Sequence, residues 1–207
     1  MSGDGDITIS ITGDMKLESA ITDTNLTSDH TVTLTSASDG GAITDDNEGS
    51  VNVTASSLVA SAVTGIEFDT DIDDLNATTS GAGDITVRES DAIELTDVTA
   101  ANGAITISAG GNIDAVNVVS STDDDDNDIS ITATDGSVTM ATSASTTTNA
   151  GTVTYTAGTD IAMGTDTNAS VDGDGSIDFD AVGGIIMGLR ANASVGTDGD
   201  ITVNSTT

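Results

Sequence analysis

The stretch that decides the fold spans 104–203 and reads as blocks: AITISAGGNIDA at 104–115, DISITATDGSVTM at 128–140, TVTYTAGTDIAMG at 152–164, SIDFDAVGGIIMG at 176–188 and DITV at 200–203. Ile105, Ile129, Val153, Ile177 and Ile201 recur every 24 residues. Two residues on stand Ile107, Ile131, Tyr155, Phe179 and Val203, and two further on Ala109, Ala133, Ala157 and Ala181. A fixed period of this length signals a stacked repeat architecture. Within each block apolar and polar residues alternate, which is the strand period. A second alternation follows at Ile113/Ala115, Val138/Met140, Ile161/Met163 and Ile185/Met187. Gly, Asp and Asn clusters separate the runs and supply turn conformations. The three- and four-residue apolar spacing of a helix is absent, and β-branched residues and glycines disfavour one.

These features predict an all-β fold, a parallel β-helix (β-solenoid) in which each block is one coil and equivalent residues stack about 4.8 Å apart. Ile107, Ile131, Tyr155, Phe179 and Val203 then form an inward ladder, with the two aromatics on adjacent rungs. The alanine column marks a corner too tight for a larger side chain. Val138/Met140 stand one place late, which predicts a one-residue adjustment or bulge in that coil. The general bias of parallel crossovers favours a right-handed helix.

Residues 1–103 repeat the theme less regularly. Successive strand starts read as Ile7, Val32, Val51, Ile66, Ile85 and Ile105. With the regular coils of 104–207 they predict about nine coils in one domain over 1–207, a rod about 40 Å long. Uneven coils are compatible with a β-helix because loops leave at its corners.

The formal net charge is −32, with three basic residues, one His and no Pro, Cys or Trp. High charge with few aromatics usually means disorder, but a disordered chain has no need of in-register apolar ladders. A solenoid core needs only Ile, Val, Ala and Met, since each coil has only to cover the next. The acids are 30 Asp and 5 Glu, a bias that fits turns in which Asp bonds its own backbone. The charge supports solubility and resistance to edge association, and a saline or calcium-rich setting would screen it. It excludes nucleic-acid binding, which needs a basic footprint. Without Cys there is no disulfide framework or thiol chemistry. No signal peptide and no apolar run of membrane-span length is present, so no membrane insertion is expected. GDGDITIS at 3–10 and GDITVNSTT at 199–207 both read as mid-array coils, which suggests further repeats in a longer chain or end-to-end stacking of copies.

The phrases GDITVRESDAIEL, GAITISAGGNIDA, GTVTYTAGTDIAMG and GSIDFDAVGGIIMG resemble the repeats of filamentous-haemagglutinin-type large exoproteins and adhesins, best from about Gly83 onward. The resemblance implies a right-handed parallel β-helix, secretion, and adhesion or biofilm roles. That family's N-terminal secretion domain is not visible here, and there are no family catalytic residues to carry over.

Candidate sites are few. Asp123, Asp124, Asp125 and Asp126 form the densest charge, and the 24-residue register sets them on the same side as Asp172 and Asp174. Such carboxylates are candidate Ca²⁺ ligands, since that ion takes six to eight oxygens. A solvated acidic turn is the commoner outcome. The run from Asp69 through Asp71 to Asp73 and Asp74 opens like an EF-hand loop but lacks its Gly and closing Glu, and reads as chance. Asp178 and Asp180 flank Phe179 on the outer face, the spacing of an imaginable carboxylate pair, yet Asp is everywhere. Lys16, Arg88 and Arg190 are too few to grip an acidic polysaccharide. His30 reads as an exposed turn residue without a partner. Outward Thr106, Ser130, Thr154, Asp178 and Thr202 interrupt any all-Thr ice-binding face. Sequons occur at Asn25, Asn52, Asn76, Asn168, Asn192 and Asn204.

The expectation is a non-enzymatic structural or adhesive rod, extracellular or at the cell surface, with no cofactor beyond a Ca²⁺ role for the Asp clusters. Its partners would be itself, end to end or as neighbouring repeats, and cell-surface glycans. A β-helical carbohydrate-active enzyme or receptor-binding fibre is the alternative, and an ice-binding solenoid the third reading.

Overall fold

The computed structural model describes residues 2–3, 5–24, 30–38, 40–47, 49–122 and 127–206. They form 21 strands and no helix. The strands join one sheet, and the pairings are parallel from end to end. Parallel neighbours need a long return path. Here each return is one coil of the chain, so the fold is a parallel β-solenoid.

Three faces repeat in fixed order. On face 1 the inward ladder runs Met15, Ile43, Ile66, Ile85, Ile105, Ile129, Val153, Ile177, Ile201. That is nine rungs, with steps of 28, 23, 19 and 20 residues before the four steps of 24. Beside it runs Phe68, Val87, Ile107, Ile131, Tyr155, Phe179, Val203. Face 2 carries Ile93, Ile113, Val138, Ile161 and Ile185 in its regular half. Face 3 carries Ile9, Leu34, Ala60, Ala77, Val98, Val118, Thr146, Ala169 and Ala193. The expected architecture and the 24-residue coils are therefore observed.

One detail differs from the sequence reading, and a second is now located. The irregular starts mix faces: Ile7 and Val32 do pair, but Val32 continues to Leu58, Leu75 and Leu95 on face 2. Ile66 continues instead from Ile43 on face 1, and Val51 lies outside any strand. Alternation marks a strand without saying which face it joins. The late Val138/Met140 pair stacks directly on Ile113/Ala115, so the expected one-residue adjustment sits in the turn at 134–137, and the same ladder shifts register again between Ala115 and Asn117.

The core is a single column of buried Ile, Val, Leu, Ala and Met. Each fully buried large aliphatic side chain contributes about 1.5–3 kcal/mol. Tyr155 and Phe179 stack with ring centroids 5.4 Å apart and planes within 10°. That separation exceeds the about 4.8 Å rung spacing, so the rings are slid rather than eclipsed, the preferred arrangement. The Tyr155 hydroxyl donates to Met140 Sδ at 3.5 Å. Burial holds its pKa well above the usual value; the nearby Thr146 hydroxyl opposes that rise without reaching hydrogen-bond geometry.

The structure also explains why the acids are Asp. Asp45 does bond its own turn, through the Asn47 amide at 2.9 Å. A different contact recurs more often, in which a carboxylate just before one strand accepts an amide at or next to the start of the strand in the next coil. Asp6 takes the Thr31 amide at 3.0 Å, Asp14 that of Ala42 at 3.2 Å, and Asp84 that of Ala104 at 2.9 Å. Asp128 takes the Thr152 amide and Asp160 the Gly184 amide, each at 2.6 Å. An Asp side chain is short enough to span one rung spacing, and the longer Glu overshoots it.

Candidate functional site

Strand Ile85–Glu89 reads ITVRE, and its last residue occupies the alanine column, between Thr70 and Ala109. Glu89 is thus a buried acid, 5% exposed, which must be hydrogen-bonded to be tolerated. Its Oε1 accepts from the Ser90 amide at 2.7 Å and from the Asp91 amide and Ser90 hydroxyl at 3.2 Å; Oε2 accepts from the Ile72 amide at 3.1 Å. Burial pushes the Glu89 carboxyl up, against the lowering effect of the Thr70 hydroxyl and the amides of Asp91, Ile72 and Ser90. Asp71 and Asp91 converge on it, so that one oxygen from each of the three lies within 4.8 Å of the others. Three oxygens are a partial set for a hard cation, and Glu89 commits both of its own to the fold.

A raised folded-state pKa has a sign that can be checked. The stability Glu89 contributes over a glutamine is fully present below its ordinary value of 4.5 and is lost as pH rises through the raised value. The unfolding free energy of the native chain minus that of Glu89→Gln is expected to grow as pH falls from about 7 to about 4 in urea titrations, at roughly 1.4 kcal/mol per unit of pKa difference. A difference that shrinks over this range would contradict the assignment.

Next to this cluster, Asp45, Asp46, Gly49, Glu67, Asp69 and Arg88 line an open groove of about 420 Å³. Arg88 donates to Glu67 at 2.9 Å and Asp69 at 3.2 Å, bonds that raise its pKa. Burial raises the Asp45 carboxyl, but the Asn47 amide, the Asn52 side chain and the Arg88 charge outweigh it and hold it below its usual value. Four carboxylates around one neutralised guanidinium make this an acidic groove, unsuited to an anionic ligand. The other two basic residues are also paired: Lys16 with Asp46 at 3.8 Å, and Arg190 with Asp166.

Of the expected metal ligands, Asp123, Asp124, Asp125 and Asp126 lie outside the described residues. Asp172 and Asp174 are exposed, and Asp174 accepts from the Thr197 hydroxyl at 2.6 Å. Among the described residues neither belongs to a converging acid trio; Asp71, Glu89 and Asp91 do. Sequence reasoning weighed Asp71 only within the Asp69–Asp74 run, set aside there as chance, and missed Glu89 and Asp91 because the 24-residue register was read from 104 onward. Aligning ITVRE with ITISA puts Glu89 in an alanine position, and that was the available signal.

His30 is not the partnerless turn residue expected, since its Nδ1 lies 3.1 Å from Oδ2 of the buried Asp23. Asp178 stands between Thr154 and Thr202, with a covered Oδ1 that has no hydrogen-bond partner; Asp180 is exposed beside it. The sequon at Asn52 is fully buried, its amide bonded to Leu17 and Asp45, so it is no glycan acceptor.

No family model, curated protein or solved structure matches the chain. Among the described residues no helix is long and apolar enough to cross a membrane.

Proposed function

We propose that the chain is a non-enzymatic structural segment, a rigid acidic rod of an extracellular adhesin, surface layer or matrix filament. The observation that carries this reading is the unbroken nine-rung ladder on face 1, from Met15 to Ile201. Continuous backbone bonding along one axis supplies stiffness, and repeated outward side chains supply weak multivalent contacts. The resemblance to haemagglutinin-type repeats supports the same role. The stacked aromatics are 0% and 1% exposed, so they offer no platform to a sugar, which weighs against a carbohydrate-active cleft.

One observation favours the ice-binding reading. Thr86, Thr106, Ser130 and Thr154 form one outward column, and Ser108, Thr132 and Thr156 form a second. Arg88 at one end and Asp178 and Asp180 at the other limit that patch.

The test is antibody labelling of the source cells. Surface label on intact, unpermeabilised cells is expected. Label that appears only after permeabilisation would overturn the reading.

A further inference from the structure

The outward side of face 3 is nearly free of charge. One outward column there runs from Val59 through Asn76, Asp97, Asn117, Ser145 and Asn168 to Asn192. A second, from Ser61 to Ser194, holds only Ser, Thr and Val. Asp97 is the one charged residue in these two columns, and the Asn117 amide and Thr99 hydroxyl donate to it at 2.8 and 3.0 Å. The other faces differ. Asp74, Glu94 and Asp114 stand on successive outward rungs of face 2, and Asp178 and Asp180 on face 1. Like charge keeps the exposed strands of separate copies apart, and face 3 lacks that protection.

Three of the six sequons fall on the first of these columns, at Asn76, Asn168 and Asn192. Residues two apart on a strand share a face, so each has its sequon hydroxyl, on Thr78, Ser170 or Ser194, beside it in the second column. Asn168 and Asn192 recur through the 24-residue repeat, but Asn76 belongs to the irregular half and reaches the same column independently. Of the other three, Asn52 is 0% exposed, Asn25 lies outside the described residues, and Asn204 faces outward on face 1 beside Asp180.

We propose that Asn76 and Asn168 are acceptors for N-linked glycans, and that these sugars shield the face that charge leaves bare. The inference rests on the surface reading of the rod and assigns it a modification. The donor is a polyprenyl-phosphate-linked sugar. The Asn side-chain nitrogen bonds to the anomeric carbon and gives up one proton, the bond from that carbon to the phosphate oxygen breaks, and the lipid phosphate leaves. One Nδ2 hydrogen remains on the Asn. Asn168 thereby keeps its bond to Ser170 Oγ at 3.0 Å, and its Oδ1 still accepts from Asn192 at 2.8 Å. Asn76 stands between Val59 and Asp97, with no second sequon on an adjacent rung. Asn192 is the poorer acceptor: its Nδ2 donates to both Asn168 and Ser194, and it sits one rung from Asn168, about 4.8 Å away. Sugar added to the extended chain ends in solvent at 76 and 168, whereas at Asn52 it would stop the core from closing.

Cleavage before Asp separates the sites, placing Asn76 in 74–83, Asn168 in 166–171 and Asn52 in 46–68. Mass spectrometry of protein from the source cells is expected to find glycan on the first two peptides and the third unmodified. Unmodified Asn76 and Asn168 in surface-labelled protein, or sugar on Asn52, overturns the assignment, and the rod reading, judged by the surface label, stands in that case. The double variant Asn76→Gln, Asn168→Gln keeps outward amides and loses the sugar, and circular dichroism verifies its strand signal. In salt high enough to screen the carboxylates, its side-by-side association, read by light scattering, is expected to rise about twofold or more over the native chain. A sugar-free, folded variant that scatters as the native chain does overturns the shielding role.

Discussion

Tyr155→Ala is expected to lower the unfolding free energy by about 3–5 kcal/mol, the range for emptying an aromatic site in a core. Tyr155 heads the fully buried side chains in size, and it is enclosed along the axis by Ile131 on one rung and Phe179 on the other. The neighbouring rungs are fixed by backbone bonds on both sides, so the cavity has little freedom to collapse. The stacked contact with Phe179 is lost as well, worth about 0.5–1.5 kcal/mol beyond buried area. Phe179→Ala should fall lower in the range, because the rung that covers it, Val203, is itself 56% exposed and can settle inward. Tyr155→Phe should stay within about 1 kcal/mol of the native chain, since the hydroxyl gives up only a weak sulfur acceptor. Coils touch only their neighbours, so lost amide protection is expected in Ile129–Ala133, Gly151–Ala157 and Gly175–Ala181 and not in the early rungs. Uniform loss, or a cost near zero, would mean that the aromatic pair is not enclosed as described.

Gly83→Ala is the second large effect. A methyl group at Gly83 would fall on the carbonyl oxygen of Thr64, nearer than any non-bonded pair allows, and 2.9 Å from the Gly65 nitrogen. The obstacles are backbone atoms of the coil beneath, which cannot rotate away. Relief requires the coils to part, straining the Ile66 amide to Asp84 carbonyl bond at 2.9 Å and the Gly83 amide to Asn102 carbonyl bond at 2.8 Å. A cost of about 3 kcal/mol or more follows. Gly65→Ala is the internal control. Its methyl meets only the Asp84 carbonyl, at an ordinary 3.6 Å, and a change within about 0.5 kcal/mol is expected. Urea denaturation of the two variants checks the contrast, and equal effects would contradict the corner geometry.

The fold was legible wherever the period was fixed. Ile105 to Ile201, the aromatic rungs and the alanine column all stack as the 24-residue spacing requires. It was less legible before 104, where steps of 28, 23, 19 and 20 residues vary the turns and not the strands. Val32 and Ile66 look alike in sequence, and only the lengths of the intervening turns send them to different faces. Charge misled for a related reason. The dense Asp run at 123–126 attracts attention in sequence, whereas Glu89 carries one charge at an inward position that only the register reveals. Asp23 and His30 illustrate the same limit, because a contact between residues seven apart in the chain leaves no trace in a register read from coil to coil.

The most direct measurement is a set of electron–electron distances along the outward column of face 1. Spin labels placed at Lys16 and, in turn, at Thr106, Thr154 and Thr202 span four, six and eight rungs. Backbone separations of about 19, 29 and 38 Å are expected, rising by about 4.8 Å per rung, with narrow distributions because the stack is stiff. Broad distributions, or distances that fail to rise in proportion to rung number, would contradict a continuous rigid solenoid.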